Sequence, residues 1–223
     1  MRTLPRSSTT SHAAAVDLRG VTRLFGAAPA IVRVDLSIEP GEAVVLRGAN
    51  GAGKSTLLRI VATALSPTYG EGTIVGFDLL TQRDEIRRRC ELLGHRTRLY
   101  EDLSARENLR LHADLLGAER RLVEDALERV ELTGVADERV RGFSQGMRQR
   151  VAVARTLVRD PELLLLDEPT TGLDAAARDV VEAMMLDTAR AGRTVLIATH
   201  REVPAGMAHR IVEMAEGRIV AAR

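Results

Sequence analysis

Hydrophobic residues follow two different patterns along the chain, and each pattern predicts a different kind of strand. Residues 16–18 and 32–38 alternate between apolar and polar side chains, which is typical of antiparallel strands buried on one face. Residues 44–46, 163–166 and 194–198 are instead almost entirely apolar. Such runs predict parallel strands that are covered on both faces. The chain is therefore expected to fold around a mixed sheet.

The middle of the chain has a helical pattern. From residue 81 to residue 158 the spacing of apolar side chains is mainly that of helices. The segment Ser104-Ala105-Arg106-Glu107 matches a capping box, which predicts the start of a helix with Leu111 and Leu115 on its inward face. Residues 119–132 predict another amphipathic helix, with its charges on the outer side.

The C-terminal part of the chain alternates between strands and helices. A helical stretch over residues 175–191, ended by Gly192, separates two of the apolar runs. Residues 211–214 and 218–220 predict two last strands. A helix between two apolar strands indicates a parallel sheet with helices on its faces. The predicted fold class is α/β, with a mixed-sheet core, an antiparallel β lobe and a helical lobe inserted at about residues 92–160.

Composition narrows the possible functions. The chain has 32 basic and 31 acidic residues, and a net charge of +1 argues against a general nucleic-acid binder. A single cysteine, Cys90, excludes a disulfide framework and fits a reducing compartment. No apolar stretch approaches the roughly 18 residues of a membrane span. Residues 1–13 are rich in Ser, Thr and Arg and are expected to form a disordered tail, which leaves residues 14–223 as one domain.

Only one of the basic residues is a lysine, and it lies in a glycine-rich motif. Lys54 belongs to Gly48-Ala49-Asn50-Gly51-Ala52-Gly53-Lys54-Ser55-Thr56, between an apolar strand and a helical pattern. Glycines let backbone N–H groups close around a phosphate, the lysine reaches the β- and γ-phosphates, and the Ser55 hydroxyl can ligate Mg²⁺. A glycine-rich turn with a surface lysine is the plainer alternative, which the flanking strand and helix disfavour. The motif predicts binding of a nucleoside triphosphate.

Two adjacent carboxylates follow the apolar run at residues 163–166. Asp167 stands at the end of the predicted strand, where it can hold Mg²⁺ directly or through water. Glu168 comes next and could polarise the water that attacks the γ-phosphate. An ordinary acidic strand end is the alternative. The phosphate loop upstream and Pro169 immediately downstream favour the chemical interpretation.

Further motifs extend this pattern beyond the phosphate loop. They are Phe143-Ser144-Gln145-Gly146-Met147-Arg148-Gln149-Arg150, Thr171-Gly172-Leu173-Asp174 and Ala198-Thr199-His200. In that order they resemble the signature sequence, the dimer-contact loop and the switch histidine of ATP-binding-cassette (ABC) ATPase subunits. Phe25 stands where that family places an aromatic ring against adenine. The resemblance runs from about residue 16 to residue 220 and implies a P-loop NTPase fold of ABC type.

The resemblance implies roles for these residues. Ser144 and the backbone of Gly146 would contact the γ-phosphate of ATP bound to the opposite subunit, so that ATP holds a head-to-tail dimer together. Asp174 is assigned with them to the nucleotide site. His200 would hydrogen-bond the γ-phosphate and orient Glu168. The implied cofactors are ATP and Mg²⁺, and the implied partners are a second copy and membrane-spanning permease subunits, at the cytoplasmic face of the membrane.

The chain departs from the family pattern at two places. Gln145 and Met147 replace the commonest Gly and Gln of the signature, while the serine and glycine assigned to phosphate are retained. His95 stands where most members have a glutamine that senses Mg²⁺ and contacts the transporter partner, so it is assigned to catalysis or to coupling. The pair Gly94-His95 resembles the heme-exporter branch, which serves cytochrome c maturation. The implied function is an ATP-hydrolysing export motor, with heme as one candidate cargo.

Other functions are weighed against this one. A drug, lipid or polysaccharide exporter would use the same kind of cassette with another permease. Soluble ABC ATPases that act on DNA or ribosomes usually carry long heptad insertions or two cassettes, and this chain shows neither. A regulatory module that holds ATP without hydrolysing it would not need the complete catalytic set found here.

We expect His95→Gln to change the pH dependence of ATP hydrolysis if His95 acts at the nucleotide. An imidazole titrates near pH ~6.5, whereas an amide does not titrate at all. The pH–rate profiles of the wild-type and His95→Gln subunits should then differ in the mildly acidic range. Superimposable profiles in the isolated subunit, with a defect only in the assembled transporter, would place His95 in coupling instead.

Overall fold

The computed structural model describes residues 14–94 and 97–223, which fold around two β-sheets. The expected tail over residues 1–13 and the candidate site residue His95 lie outside the described residues. None of the described helices is both long and apolar enough to cross a bilayer. In chain order the strands and α-helices are β1 (Val16–Phe25), β2 (Ala28–Ile38), β3 (Ala43–Arg47), α1 (Lys54–Val61), β4 (Tyr69–Ile74), β5 (Phe77–Asp78), α2 (Arg83–Arg89), β6 (Cys90–Leu93), α3 (Ala105–Leu116), α4 (Arg121–Arg129), α5 (Gln145–Arg159), β7 (Leu163–Asp167), α6 (Ala175–Arg190), β8 (Thr194–Ala198), β9 (Arg210–Ala215) and β10 (Arg218–Ala222).

The smaller sheet is antiparallel, as the alternating pattern predicts. Its strand order is β2-β1-β4-β5. Val16 pairs with Ile38 on one side and with Ile74 on the other, and all three side chains are fully buried. Together with helix α1, this inner layer forms one of the two hydrophobic cores.

The larger sheet has six strands in the order β10-β9-β3-β8-β7-β6. All neighbouring pairs are parallel except β10 and β9. Leu163 and Leu165 face the core shared with the smaller sheet, whereas Leu164 and Leu166 face the core shared with helices α3 to α6. The sheet is thus covered on both faces, which confirms the interpretation of the apolar runs. Helix α6 and strands β9 and β10 also lie where the sequence predicts them.

Strand β6 corrects the mainly helical prediction for residues 81–158. Cys90–Leu93 pair in parallel with β7 and form the edge of the large sheet. The strand has only four residues and follows directly after α2, so the periodicity of so short a segment cannot separate strand from helix. The segment that leaves the sheet to form the helical lobe therefore begins after Leu93.

The first helix of this lobe begins where predicted but buries a different face. Ser104 Oγ accepts the backbone N–H of Glu107 at 3.1 Å, and the Glu107 carboxylate accepts the N–H of Ser104 at 2.8 Å. Leu111 and Leu115, predicted to face inward, are 36% and 75% exposed. Residues two positions apart on a helix differ by about 200° around its axis. Leu111 and Leu115 therefore lie on the side opposite to the residues two positions before them. The side chains that are buried instead include Ala105, Leu109 and Ala113.

Candidate functional site

Three of the predicted segments meet at the edge of the large sheet where the carboxyl ends of its parallel strands lie. Strands β3, β8 and β7 are parallel neighbours, so the loops that follow them emerge side by side. The glycine-rich loop follows β3 and His200 follows β8, while Asp167 ends β7 and Glu168 follows it. Strand β6 ends at the same edge, where a Cβ placed on Gly94 would lie 3.5 Å from the Cβ of Asp167.

The glycine-rich loop packs against the backbones of two strands. Gly48 has a φ of +149°, and a Cβ at this position would lie 2.2 Å from the carbonyl oxygen of Met214 in β9. Gly53 has a φ of +100°, and a Cβ there would lie 2.6 Å from the carbonyl oxygen of Ala30 in β2. Neither contact leaves room for a side chain, so both positions require glycine.

Lys54 is the first residue of helix α1 and is only 7% exposed. Its Nζ donates to the carbonyl oxygens of Gly48 at 2.6 Å and Ala49 at 3.1 Å. An ammonium group has three donors, so one remains for an anion after these two contacts. The N–H groups and the dipole at the start of α1 favour negative charge at the same place.

A cavity of about 210 Å³ lies beside this loop, lined by residues 50–56, Ala30 and Glu168. Next to it, Ser55 Oγ donates to Asp167 Oδ1 at 2.7 Å. These are two hard oxygen donors, the ligand type that Mg²⁺ takes from proteins alongside phosphate and water oxygens. No group of three His, Cys, Asp or Glu side chains that could hold a metal occurs in residues 14–94 and 97–223. Ser55 and Asp167 therefore fit a Mg²⁺ that is shared with a bound nucleotide.

Glu168 lies between the cavity and His200. His200 Nδ1 is 2.9 Å from Glu168 Oε1. An ionised carboxylate only accepts hydrogen bonds, so Nδ1 carries the proton in this contact. The other oxygen, Oε2, accepts from the hydroxyls of Thr171 and Thr199, both at 3.3 Å. No role for these two hydroxyls is predicted from the sequence. Both threonines lie within motifs identified there, but nothing in those motifs marks the hydroxyls as contacts of Glu168.

The signature residues form a second cluster outside this cavity. Ser144 caps helix α5, where its Oγ accepts an N–H group of the first turn at 3.2 Å. A Cβ placed on Gly146 would lie 3.0 Å from Asp174 Oδ2. Asp174 in turn caps helix α6 by accepting the N–H of Ala177 at 2.8 Å. None of Ser144, Gly146 and Asp174 lines the cavity beside the phosphate loop.

Phe25 ends strand β1 and is 51% exposed. It pairs with Ala28 at the tip of the β1–β2 hairpin, and Ala30, two residues further, lines the cavity. The guanidinium carbon of Arg23 lies 4.8 Å from the centre of the Phe25 ring. The exposed part of the ring can stack against a planar base.

Comparison with known proteins decides the family. Residues 31–171 match the family model described as ABC transporter. The chain belongs to the ABC transporter family. The cassette is 38% identical over 176 residues to the ABC transporter ATP-binding protein NatA of Bacillus subtilis (strain 168), which covers 77% of this chain and 72% of NatA. It is 35% identical over 212 residues to the daunorubicin/doxorubicin resistance ATP-binding protein DrrA of Streptomyces peucetius, which covers 93% of this chain and 64% of DrrA.

Solved structures show the same fold. The dimeric structure of the ATP-binding cassette MJ0796, in a post-hydrolysis state with ADP and Pi, superposes with a TM-score of 0.84 at 30% identity. The superposition covers 93% of this chain and 97% of that cassette. The fold is therefore that of an ABC-type P-loop NTPase, and the chain is an ATPase of this family.

We expect Glu168→Gln and Lys54→Ala to separate hydrolysis from binding. The amide in Glu168→Gln keeps the shape of the side chain but cannot accept a proton, so turnover should fall by roughly 100-fold or more while Mg-ATP still binds. Lys54→Ala removes the cation nearest the phosphates and should lose nucleotide binding. Equilibrium titration with ATP and phosphate release measure the two effects. Wild-type turnover in Glu168→Gln would contradict its assignment as the base.

Proposed function

We propose that this cassette is the ATP-hydrolysing motor of an ABC export system. The observation that carries the proposal is the shared sheet edge, where Lys54, the Ser55–Asp167 pair and the Glu168–His200 pair lie together. DrrA is named for drug resistance, and another relative is the Nod factor export ATP-binding protein I of Cupriavidus metallidurans (strain ATCC 43123 / DSM 2839 / NBRC 102507 / CH34). These names support export as the direction of transport.

Side chains of the chain itself account for the chemistry of hydrolysis. Lys54 and the start of α1 hold the β- and γ-phosphates. Glu168 accepts a proton from the water that attacks the γ-phosphorus, and His200 orients that carboxylate. Ser55 and Asp167 would hold a Mg²⁺, which would neutralise part of the charge of the phosphates. Phe25 stacks against the adenine.

We infer that two copies of the cassette work head to tail. Ser144 and Gly146 lie at the start of α5, where N–H groups and the helix dipole favour phosphate, yet they do not line the cavity of their own chain. A second copy would bring its own α5 to that cavity. The dimeric structure of the MJ0796 cassette with ADP and Pi supports a dimer.

We further propose that the permease contacts an arginine-lined cavity beside β6, at the cytoplasmic face of the membrane. This cavity is about 450 Å³, and within the described part of the chain its lining includes Arg87, Arg98, Arg155 and Arg159 but only one carboxylate, that of Glu91. Glu91 already pairs with Arg155 at 2.9 Å and with Arg159 at 3.3 Å. Arg87 also pairs with Asp84, at 3.1 Å. The positive charge that remains in excess fits an acidic side chain of the partner.

A histidine near these charged groups, His112, adds no positive charge to them. Burial lowers the pKa of His112 to about 4; Glu91 opposes the shift, and Arg155 and Arg159 reinforce it. His112 is thus neutral at physiological pH and adds no charge of its own. The excess positive charge of the cavity comes from the arginines alone.

For the cargo we propose two candidates, each with its own observation. The sequence likeness to DrrA supports a drug-type exporter. The Gly94-His95 pair supports heme export for cytochrome c biogenesis. Stimulation of the ATPase of the assembled transporter by heme or by an anthracycline distinguishes the two.

We expect Ser144→Arg to abolish the ATP-dependent dimer without affecting ATP binding by the monomer. The variant places a bulky side chain at the cap of α5, where the N-terminus must approach the phosphate of the other copy. Turnover should be lost with the dimer. Analytical ultracentrifugation of this variant in the Glu168→Gln background, with ATP, provides the measurement. Normal ATP-driven dimers of Ser144→Arg would refute the head-to-tail geometry.

We expect Arg98→Glu to weaken assembly with the permease by roughly tenfold, because it reverses a charge in the arginine-lined cavity. The Mg-ATP affinity of the isolated cassette should not change. The control is Arg190→Glu, which reverses an exposed charge at the end of α6. The measurement is the dissociation constant of the cassette from detergent-solubilised permease at two salt concentrations. Equal affinities of the two variants would exclude the cavity as the contact.

A further inference from the structure

The carboxylate of Glu168 is held at both of its oxygens by side chains of this chain. Oε1 is 2.9 Å from His200 Nδ1. Oε2 accepts from Thr199 Oγ1 and from Thr171 Oγ1, each at 3.3 Å. An ionised carboxylate has about four acceptor positions, two on each oxygen. Three are in use, and the remaining one is on Oε1, beside His200.

The two hydroxyls approach from separate elements. Thr199 directly follows β8 and is only 3% exposed, and its backbone N–H donates to the carbonyl oxygen of Leu46 at 3.2 Å. Its Oγ1 accepts the N–H of Arg201 at 3.0 Å, which leaves the hydroxyl proton free for Glu168. Thr171 lies in the segment that leads to Asp174, and its backbone N–H donates to the carbonyl oxygen of Glu168 at 3.2 Å.

The backbone of Glu168 is also constrained. Its φ is +49°, in the left-handed region that a residue with a side chain seldom adopts. Its N–H donates to the carbonyl oxygen of Ala198 at 2.8 Å, so the residue is tied to the end of β8. A strained conformation of this kind persists when the surrounding contacts determine it. The hydroxyls complete that set of contacts at the end of the side chain.

We propose that Thr171 and Thr199 are positioning residues, which hold Oε2 of Glu168 so that the free position on Oε1 faces the attacking water. The inference rests on the proposed role of Glu168 as the base. Each contact is longer than an ordinary hydroxyl–carboxylate hydrogen bond, so each hydroxyl contributes modestly and both are needed to fix Oε2. Thr171 lies in the segment that leads to Asp174, the proposed dimer contact. A shift of Asp174 on dimer formation can therefore move the carboxylate of Glu168 through the Thr171 hydroxyl.

The test compares valine and serine at each position. Valine keeps the branched shape without the hydroxyl, and serine keeps the hydroxyl. We expect Thr171→Val and Thr199→Val each to lower kcat by about 3- to 10-fold, as expected for losing one hydrogen bond, and the double variant by more than either. KM for Mg-ATP should stay within about twofold, since neither threonine lines the cavity beside the phosphate loop. Thr171→Ser and Thr199→Ser should restore kcat.

The same valine variants in the Glu168→Gln background distinguish a positioning role of the threonines from a structural role. In Glu168→Gln the carboxylate is gone, so Thr171→Val and Thr199→Val should change the residual single-turnover rate by less than about twofold. Equal losses in both backgrounds, a rise in KM that matches the fall in kcat, or no rescue by serine would each overturn the proposal. Because Thr199 is buried, thermal unfolding of every variant is measured, and the partly exposed Thr171 decides the question if Thr199→Val unfolds. Wild-type turnover in Glu168→Gln itself would instead remove the base assignment.

Discussion

The parallel pairing of β3, β8 and β7 is the interaction on which the rest of this cassette depends. Their residues are buried on both faces, so a shift of one residue in register would move every side chain into the opposite core. The register that packing selects places Leu46, Ala198 and Asp167 in one row across the three strands. The glycine-rich loop, His200 and Glu168 all follow within a few residues of that row. The geometry of the catalytic edge is therefore a consequence of how the leucine-rich core packs.

The signature residues at the start of α5 and the loop that ends at Asp174 form a separate unit. The register of the parallel strands does not determine their positions. Gly146 lies against Asp174, and the side-chain amide of Gln145 lies 3.3 Å from where a Cβ on Gly172 would be. The start of α5 and the proposed dimer-contact loop therefore touch within one chain. Residues 168–174 connect this unit covalently to the end of β7, so the proposed base and the proposed surface for a second copy are parts of one short segment. That connection gives a physical route by which dimer formation can affect the geometry at Glu168.

The phosphate loop could be predicted from sequence because its geometry restricts residue type. At Gly48 and Gly53, backbone atoms of other strands occupy the place where a side chain would be. Only glycine fits there, so the close contact is visible in the sequence as a glycine. Strand β6 and the buried face of α3 could not be predicted in the same way. Four residues carry too little periodicity, and leucines on both sides of α3 leave its orientation open to tertiary packing. The contact of Thr199 with Glu168 joins side chains 31 residues apart, which no local pattern encodes.

The single lysine among the 32 basic residues lies at a place that suits the shape of its side chain. Lys54 Nζ is a compact group that fits between two carbonyl oxygens of its own loop and still has a donor left. A planar guanidinium with five donors is wider than this ammonium group. Beside β6 the anion is a carboxylate instead of a phosphate. Glu91 is shared there by the guanidinium groups of Arg155 and Arg159. The fork geometry of arginine suits carboxylates, so the cation at each place matches the anion it has to meet: phosphate at the catalytic edge and a carboxylate at the proposed permease contact.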